Sequence, residues 1–432
     1  MKTYSAILIG AGLRGQIYTG EMLKTPDKFK VVAVAEPIEG RRKAIQERHG
    51  IPDEMCFDSW EEALAKPKMA DLAIICTMDD MHYAPAMKAI ALGYDLLLEK
   101  PVAPTAEECA DIALAAKKQG VKVLVCHVLR YTPFFKRVKD IVMSGMLGEI
   151  VSMLQVEAVG NLHQSHSYVR GNWHSEAKTS PMLLAKCCHD LDILQWIIDK
   201  PCKKIQSFGQ LTYFTPVNAP QGAPKRCMDG GCPIEDTCPY NCRKLYYDDK
   251  ANDWFRAACT RGIAKEELPT DDEVLTALKT TDYGLCVFHA NNDVVDHQTV
   301  NMEFDGGINA TLTMNAFNKG GRFIRIFGTK GELTAYMEST KIDVYTFDDG
   351  VHRELPIELI GEGIVSGHGG GDAGLVGELY EFLGDDYHGY CAADINISVK
   401  NHLIGFAAER SRRNDTVESI DAYFGEYGLE NT

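Results

Sequence analysis

The 432-residue chain is short of positive charge. Its 45 lysines and arginines face 61 aspartates and glutamates, a formal net charge of −16. Nucleic acid and anionic membranes are therefore not expected as partners. It also lacks any apolar run of membrane-spanning length. The opening MKTYSAILIGAGLRG mimics a secretory signal, but Arg14 follows the apolar stretch at once and the glycines have another use. No signal is expected, and a reduced, cytoplasmic location follows as the expectation. Fourteen cysteines scattered over this length do not make a disulfide framework, and no paired C-x2-C occurs. Repeats and low-complexity segments are absent too. What is present is ordinary globular composition, 45% hydrophobic and 25% charged, with length for two or three domains.

Residues 4–9 (YSAILI) read as a buried strand running into GAGLRG and then a helix, QIYTGEMLK. Gly10, Gly12 and Gly15 match G-x-G-x-x-G. Gly10 permits the tight turn, Gly12 the approach of a pyrophosphate, and Gly15 close packing of helix on sheet. A second strand, VVAVA (31–35), ends at Glu36, 21 residues beyond Gly15. That is near the ~20 expected of an acid that binds a ribose. Glu36 would accept from both ribose hydroxyls and repel a 2′-phosphate, which favours NAD. Arg41 and Arg42 leave NADP open.

Strand and helix keep alternating through DLAIICT (71–77), MHYAPAMKAIALG, YDLLLEKP (94–101), a helix with Thr105 as N-cap and Glu108 at N3, and VKVLVCHVLRY. This is a doubly wound α/β pattern, which binds ligands beyond the carboxyl ends of its strands. Thr77, Glu99, Lys100, His127 and Arg130 stand near those ends. Pro101 holds Lys100 extended. There a lysine can hydrogen-bond a substrate hydroxyl, its pKa lowered by desolvation and a cationic neighbour. The alternative is a solvated lysine paired with Glu99.

The run LLAKCCHDLDIL (183–194), continued as QWIID to Asp199, reads as one helix that is apolar nearly all round. Such helices are buried, and the charges inside one need partners or a use. Together GAGLRG, Glu36, CTMDDMHY, EKP, RYTPF and HDLD resemble, in that order, the glucose–fructose oxidoreductase and inositol dehydrogenase family (Gfo/Idh/MocA). The resemblance covers the first 200 residues well. SGHGGGD (366–372) is similar to a loop of some members. It implies an N-terminal Rossmann domain, residues 1–130, and a C-terminal α/β domain with an open, mostly antiparallel sheet, residues 131–432. It also implies NAD(P)-linked oxidation of sugars, cyclitols or their derivatives.

Carried over, Lys100 matches the EKP lysine beside nicotinamide and substrate, and His189 the proton-transfer histidine. Candidate cofactor contacts are Gly10, Gly12, Leu13, Arg14, Gly15, Glu36, Thr77, His82, Glu99, Lys100 and Arg130. Ala185 stands where many relatives carry an aspartate, so the substrate need not be a free cyclitol. Asp192 is expected to hold the tautomer of His189. Lys186 either binds substrate or pairs with Asp190 at i+4.

The segment 161–181 shows little regular pattern and precedes that helix. Its Tyr168, with His163, His166, Arg170, Asn172, Trp173 and His174, offers a polyhydroxylated ring an aromatic platform and hydrogen-bond partners. The alternative is a polar surface loop. Residues 213–275 read as an insertion, in which Cys227, Cys232, Cys238 and Cys242 fall within 16 residues. A structural zinc is the first expectation there and an iron–sulfur cluster the second, with free thiols or one disulfide the alternative. From 281 onward, DYGLCVFHA, VVDHQTVNMEF, INATLTMNAF, RFIRIFG, GELTAYM and KIDVYTF read as strands of a sheet suited to a homo-oligomer, a dimer or tetramer. Asp372 reads as the N-cap of a later helix, and His368 closes over substrate. The expected function is hydride transfer between NAD and a ring carbinol of a sugar-like substrate. An NAD-dependent glycosidase, with Tyr168, His166 or His368 as a second base, is the alternative. A non-catalytic sugar sensor ranks third, since Lys100 and His189 are both present.

Overall fold

Six parallel strands build the first layer: β1 (Tyr4–Ile9), β2 (Phe29–Ala35), β3 (Cys56–Phe57), β4 (Leu72–Ile75), β5 (Asp95–Leu98) and β6 (Val123–Val125). Their order is β3-β2-β1-β4-β5-β6, so chain direction across the sheet reverses between β1 and β4. Helices on both faces leave these strands almost wholly buried, which is why they read as unbroken apolar runs. The helix Ala106–Gln119 starts as expected. Thr105 Oγ1 accepts from Glu108 N–H at 3.2 Å, and Gly120, at φ 72°, ends it. The computed structural model describes residues 2–250, 252–263, 268–358 and 367–431, with backbone alone at 367 and 368.

The second sheet has nine strands: β7 (Ile150–Ala158), β8 (Cys202–Gln210), β9 (His297–Phe304), β10 (Ile308–Asn315), β11 (Gly321–Gly328), β12 (Gly331–Tyr336), β13 (Lys341–Thr346), β14 (Val351–Pro356) and β15 (Glu418–Ser419). The order is β14-β13-β12-β11-β7-β10-β9-β8-β15. β7 and β10 run parallel and every other described pair is antiparallel. Side chains alternate across it. Along β7, Met153, Gln155 and Glu157 face inward and Leu154 faces out. The inward face is covered by the helices Cys188–Ile198 and Ile395–Asn414, and the second of these also packs on Ala106–Gln119. Among the described residues no helix is long and apolar enough to cross a membrane.

Four local expectations are corrected. The strand expected from VKVLVCHVLRY stops at Val125 and turns through the 3-10 segment Val128–Tyr131. DYGLCVFHA is no strand. Asp282–Gly284 is a 3-10 turn, and Leu285, Val287 and Phe288 fill a small core with Phe214 and Tyr240. The polar segment after β7 is helical, as Asn161–His163 and the wider π-turn helix Gln164–Arg170, whose residues are all buried. Lastly, the single helix expected over 183–199 is two, Met182–Ala185 and Cys188–Ile198, parted at Lys186 and Cys187.

Candidate active site

At the carboxyl end of β1 the glycine turn is tight. A Cβ on Gly10, at φ 89°, would lie 2.6 Å from Cys76 O, and one on Gly15 would lie 2.3 Å from Gly10 O. Gly12 is different, since a Cβ there meets nothing within 4 Å. It caps the helix Leu13–Leu23 without a side-chain bond, and the first turn holds no acid. The free N–H groups and the positive helix end suit a pyrophosphate approaching over Gly12. Leu13 is exposed at this mouth. Glu36 is buried beside the turn and accepts from Ala11 N–H at 2.7 Å and Ile38 N–H at 3.0 Å. These residues fit a dinucleotide with ribose hydroxyls at Glu36.

Two expected contacts turn away from that groove. The Arg14 side chain lies inward, its Nε 2.8 Å from Glu99 Oε1 and its NH2 2.5 Å from Asp372 Oδ1. This also corrects Asp372. The helix Gly371–Leu383 is capped by Gly370 at φ 86°, and the Asp372 carboxylate serves as an anchor for Arg14. Arg130 is buried and forks onto Asp192 through two bonds of 2.7 Å. Asn401 adds a third bond to that carboxylate at 2.6 Å. Asp192 is thus committed to Arg130, and His127 Nδ1 is 3.9 Å from it.

Lys100 and His189 are brought together by an interrupted helix. The Ala185 carbonyl, at the end of the first helix, accepts from Lys100 Nζ at 3.2 Å. The chain breaks at Lys186 and Cys187, and a new helix begins at Cys188 with His189 in its first turn. The His189 ring meets His127 edge-on at 5.7 Å. Ligand atoms of His127, Cys188 and His189 all lie within 4.8 Å of one another. Burial lowers the pKa of His127, against the pull of Asp192. The Lys100–Pro101 peptide is cis.

Around Lys100 the supports are rigid. The Glu99 carboxylate accepts from Tyr18 OH at 2.7 Å and from Lys100 N–H at 2.6 Å. Burial alone would raise the Glu99 pKa, but Arg14 and Lys100 pull it below its usual value. Glu99 is thus spent on Arg14, Tyr18 and the Lys100 backbone. His82 bridges Pro101 O at 2.6 Å and Thr77 O at 3.2 Å, tying together the turns after β5 and β4. Thr77 Oγ1 donates to Met81 O at 3.1 Å.

Across the cleft, Lys186 pairs with neither Asp190 nor open solvent. Its Nζ is 3.3 Å from Glu157 Oε1 on β7. Arg322 joins Glu157 at 2.7 Å to Asp190 at 3.0 Å, which completes a buried network. Burial raises Glu157, while Arg322 and Lys186 work against it. Tyr168 is buried, its ring 6.1 Å from Trp173 and 5.9 Å from His163. Burial and then the Lys186 charge push His163 well below its usual value. Trp173 Nε1 donates to Asp79 at 3.0 Å, so the segment reaches the turn after β4. Asn172 is exposed.

His166 and Arg170 belong elsewhere. His166 stacks on Phe255 at 4.6 Å and on Tyr283 at 5.0 Å, and bonds Tyr246 OH at 3.0 Å. Burial, with Arg261 and Arg170 nearby, drops it to about 3. It is a core histidine of the insertion and not a substrate ligand. Arg170 is buried against the cysteine cluster, donating to Leu285 O and Tyr240 O, each at 2.7 Å. His368 has a side chain outside the described residues. Of the four cysteines expected together, Cys227, Cys232 and Cys238 line one cavity, and its fourth thiol is Cys286 rather than Cys242. Cys242 is buried behind Cys227. A hydrogen bond from Cys242, with the Arg170 charge, holds the Cys227 thiol below its usual value.

Sequence reasoning passed over Asp79, Glu157, Trp254, Arg322 and Asn401. Glu157 carried a readable signal, an acid on the inward face of an otherwise apolar alternation. Trp254, whose ring lies 5.5 Å from His163 and 5.0 Å from His166, carried none, because the insertion that presents it has no regular period.

Comparison with known proteins agrees with this fold. Residues 5–127 match the oxidoreductase family model for an NAD-binding Rossmann fold, and residues 139–362 its C-terminal α/β domain. The putative oxidoreductase YteT of Bacillus subtilis is 25% identical over 383 residues, 85% of this chain and 82% of that protein. Inositol 2-dehydrogenase of Salmonella typhimurium is 24% identical over 207 residues, 48% of this chain and 58% of the relative. A solved levoglucosan dehydrogenase, complexed with NADH and L-sorbose, shares the fold at TM-score 0.67 and 16% identity, over 97% of this chain and 99% of that one. With a family model matched across each of its two sheets, the chain belongs to the Gfo/Idh/MocA oxidoreductase family.

Proposed function

We propose that this protein oxidises a ring carbinol of a sugar, glycoside or cyclitol. When bound over Gly12, NAD supplies the hydride acceptor. His189 takes the hydroxyl proton, and the Lys100 ammonium hydrogen-bonds the same oxygen as it becomes a carbonyl. Tyr168 and Trp173 stack against the ring, and Lys186 offers a charge to its oxygen-rich edge. The observation that carries this reading is the Lys100 bond to Ala185 O, which joins the end of β5 to the turn that launches His189. The inositol and levoglucosan dehydrogenases among the similar proteins support the substrate class.

The test is a panel of sugars, cyclitols and glycosides incubated with enzyme and NAD, following NADH absorbance and aglycone release together. Net NADH formation with at least one member is expected. Lys100→Ala and His189→Ala should each lose at least ~100-fold in turnover while still binding NAD, the scale of a proton-transfer residue. Aglycone release without NADH would replace oxidation by elimination and re-reduction. A variant near wild-type rate would make that residue structural.

A further inference from the structure

Between β8 and β9 the chain departs from both sheets and folds around two small cores of its own. One holds Phe214, Tyr240, Leu285 and Phe288, and the other Cys242, Tyr246, Phe255 and Leu278. Neither is large enough to be rigid by burial alone. At their junction lies a small cavity lined by Cys227, Cys232, Cys238 and Cys286 together with Arg170.

The backbone is shaped to gather these thiols. Cys227 opens a 3-10 turn, and Gly230 and Gly231, at φ 75° and 76°, reverse the chain so that Cys232 returns toward it. A further turn, Cys238 N–H to Ile234 O at 2.8 Å, brings in Cys238. Cys286 arrives from the distant strand-like bridge of Arg226 with Leu285, where Cys286 N–H bonds Lys225 O at 2.9 Å.

Arg170 is the independent observation. A fully buried guanidinium costs several kcal/mol unless an opposite charge answers it. Among the described residues no carboxylate pairs with it. Two of its bonds go to carbonyls, a third goes to Cys227 Sγ at 3.7 Å, and NH1 is buried without a partner. The cavity holds Glu235, which forms no ion pair with Arg170, and four sulfurs, one of which Arg170 already meets. Four thiolates around one divalent zinc carry a net charge of −2 and accept N–H···S bonds, which answers the buried charge.

We propose that Cys227, Cys232, Cys238 and Cys286 bind one structural zinc ion that locks the insertion onto the end of the helix Gln164–Arg170. Binding displaces the protons of those thiols still protonated and changes no oxidation state. The sulfurs ring the cavity without closing on one another, no three of them lying within 4.8 Å. A zinc there requires their side chains to rotate inward to the ~2.3 Å zinc–sulfur distance. The helix that Arg170 ends also carries Tyr168, and Trp173 follows, so the ion fixes the substrate wall from behind.

The test uses the full chain purified without chelator. Elemental analysis should find one zinc per chain. Exchange with cobalt(II) should give the intense thiolate-to-metal absorption of a tetrahedral all-sulfur site. Cys232→Ser and Cys286→Ser should lose the metal while NAD binding persists, and Cys242→Ser should retain it. NAD binding reports on the first sheet, so a variant that merely misfolds is recognised. Wild-type protein that holds no metal and gives no cobalt absorption, or that shows a disulfide among these cysteines as isolated, overturns the proposal. So does metal retained by Cys286→Ser and lost by Cys242→Ser.

Discussion

Single side chains at the glycine turn and in the insertion carry separable consequences. Glu36 has both carboxylate oxygens engaged by backbone N–H groups, yet each keeps a lone pair for a ribose hydroxyl. A 2′-phosphate would meet that fixed negative charge, so NAD should bind tighter than NADP and Glu36→Ala should erode the difference. Fluorescence titration of both cofactors checks it, and equal wild-type affinities would refute the role given to Glu36. His166 makes a prediction of opposite kind, about stability. Its folded pKa of about 3 lies below the ordinary 6.5, so the unfolded chain takes up a proton first as pH falls. The stability tied to neutral His166 is whole above pH ~6.5 and is lost progressively as pH falls toward about 3. The slope is ~1.4 kcal/mol per pH unit. His166→Phe keeps the stacking on Phe255 and Tyr283 but cannot be protonated. Urea unfolding at a series of pH values from 7 to 5 should show the variant losing less stability on acidification than the wild type. Parallel curves would mean that the ring is not held neutral.

At the level of elements, periodicity reported what faces an apolar partner, and it failed where polar groups decide the path. The strands β1, β2, β4 and β5 and the helix Ala106–Gln119 were legible because burial on both faces, or on one stripe, leaves a simple pattern. The break at Lys186 was not. At the break the Ala185 carbonyl meets Lys100, far earlier in the chain, and no local pattern records that contact. The helix Gln164–Arg170 was hidden for a different reason. The helix is buried between the main core, which takes Tyr168, and the insertion, where its polar residues find partners such as Tyr246 and Tyr240 that lie far along the chain. The break sets the role of Lys186, which it turns toward Glu157. Lys186→Met should leave Glu157 with Arg322 as its remaining partner and cost about 1–2 kcal/mol, less than the ~3–5 of a fully orphaned buried charge. With the cation gone from beside His163 and the ring-binding wall, KM for substrate should rise more than Kd for NAD. Denaturant unfolding and steady-state kinetics on this variant measure both effects. Unchanged stability would show that the pair with Glu157 contributes nothing, and an unchanged KM would confine Lys186 to support.

On the scale of the whole molecule, the nine-stranded sheet has one face under helices and one face bare. Leu154, Phe208 and Tyr336 stand on the bare side at 40%, 53% and 55% exposure. Tyr336 also packs on Phe323 from the neighbouring β11, with ring centroids 4.9 Å apart. Scattered apolar residues on a surface need no explanation, but aromatics recurring across adjacent strands of one face make a patch of the kind that marks an interface. A net charge of −16 disfavours close approach of two copies, but charges on this face are paired with one another, Arg325 with Glu332 and Lys204 with Glu303, which limits the repulsion there. We propose that a second copy of the chain covers it, face to face about a two-fold axis, which lets the same residues serve both sides. Light scattering coupled to size exclusion should then report a dimer or a multiple of it. Leu154→Asp combined with Tyr336→Glu places four like charges at such an interface without touching the inward core, and should yield monomers that still bind NAD. The first sheet and its glycine turn lie away from the substitution, so lost cofactor binding would signal misfolding instead. A wild-type chain that runs as a monomer, or a double variant that stays assembled, would assign these aromatics to the single chain alone.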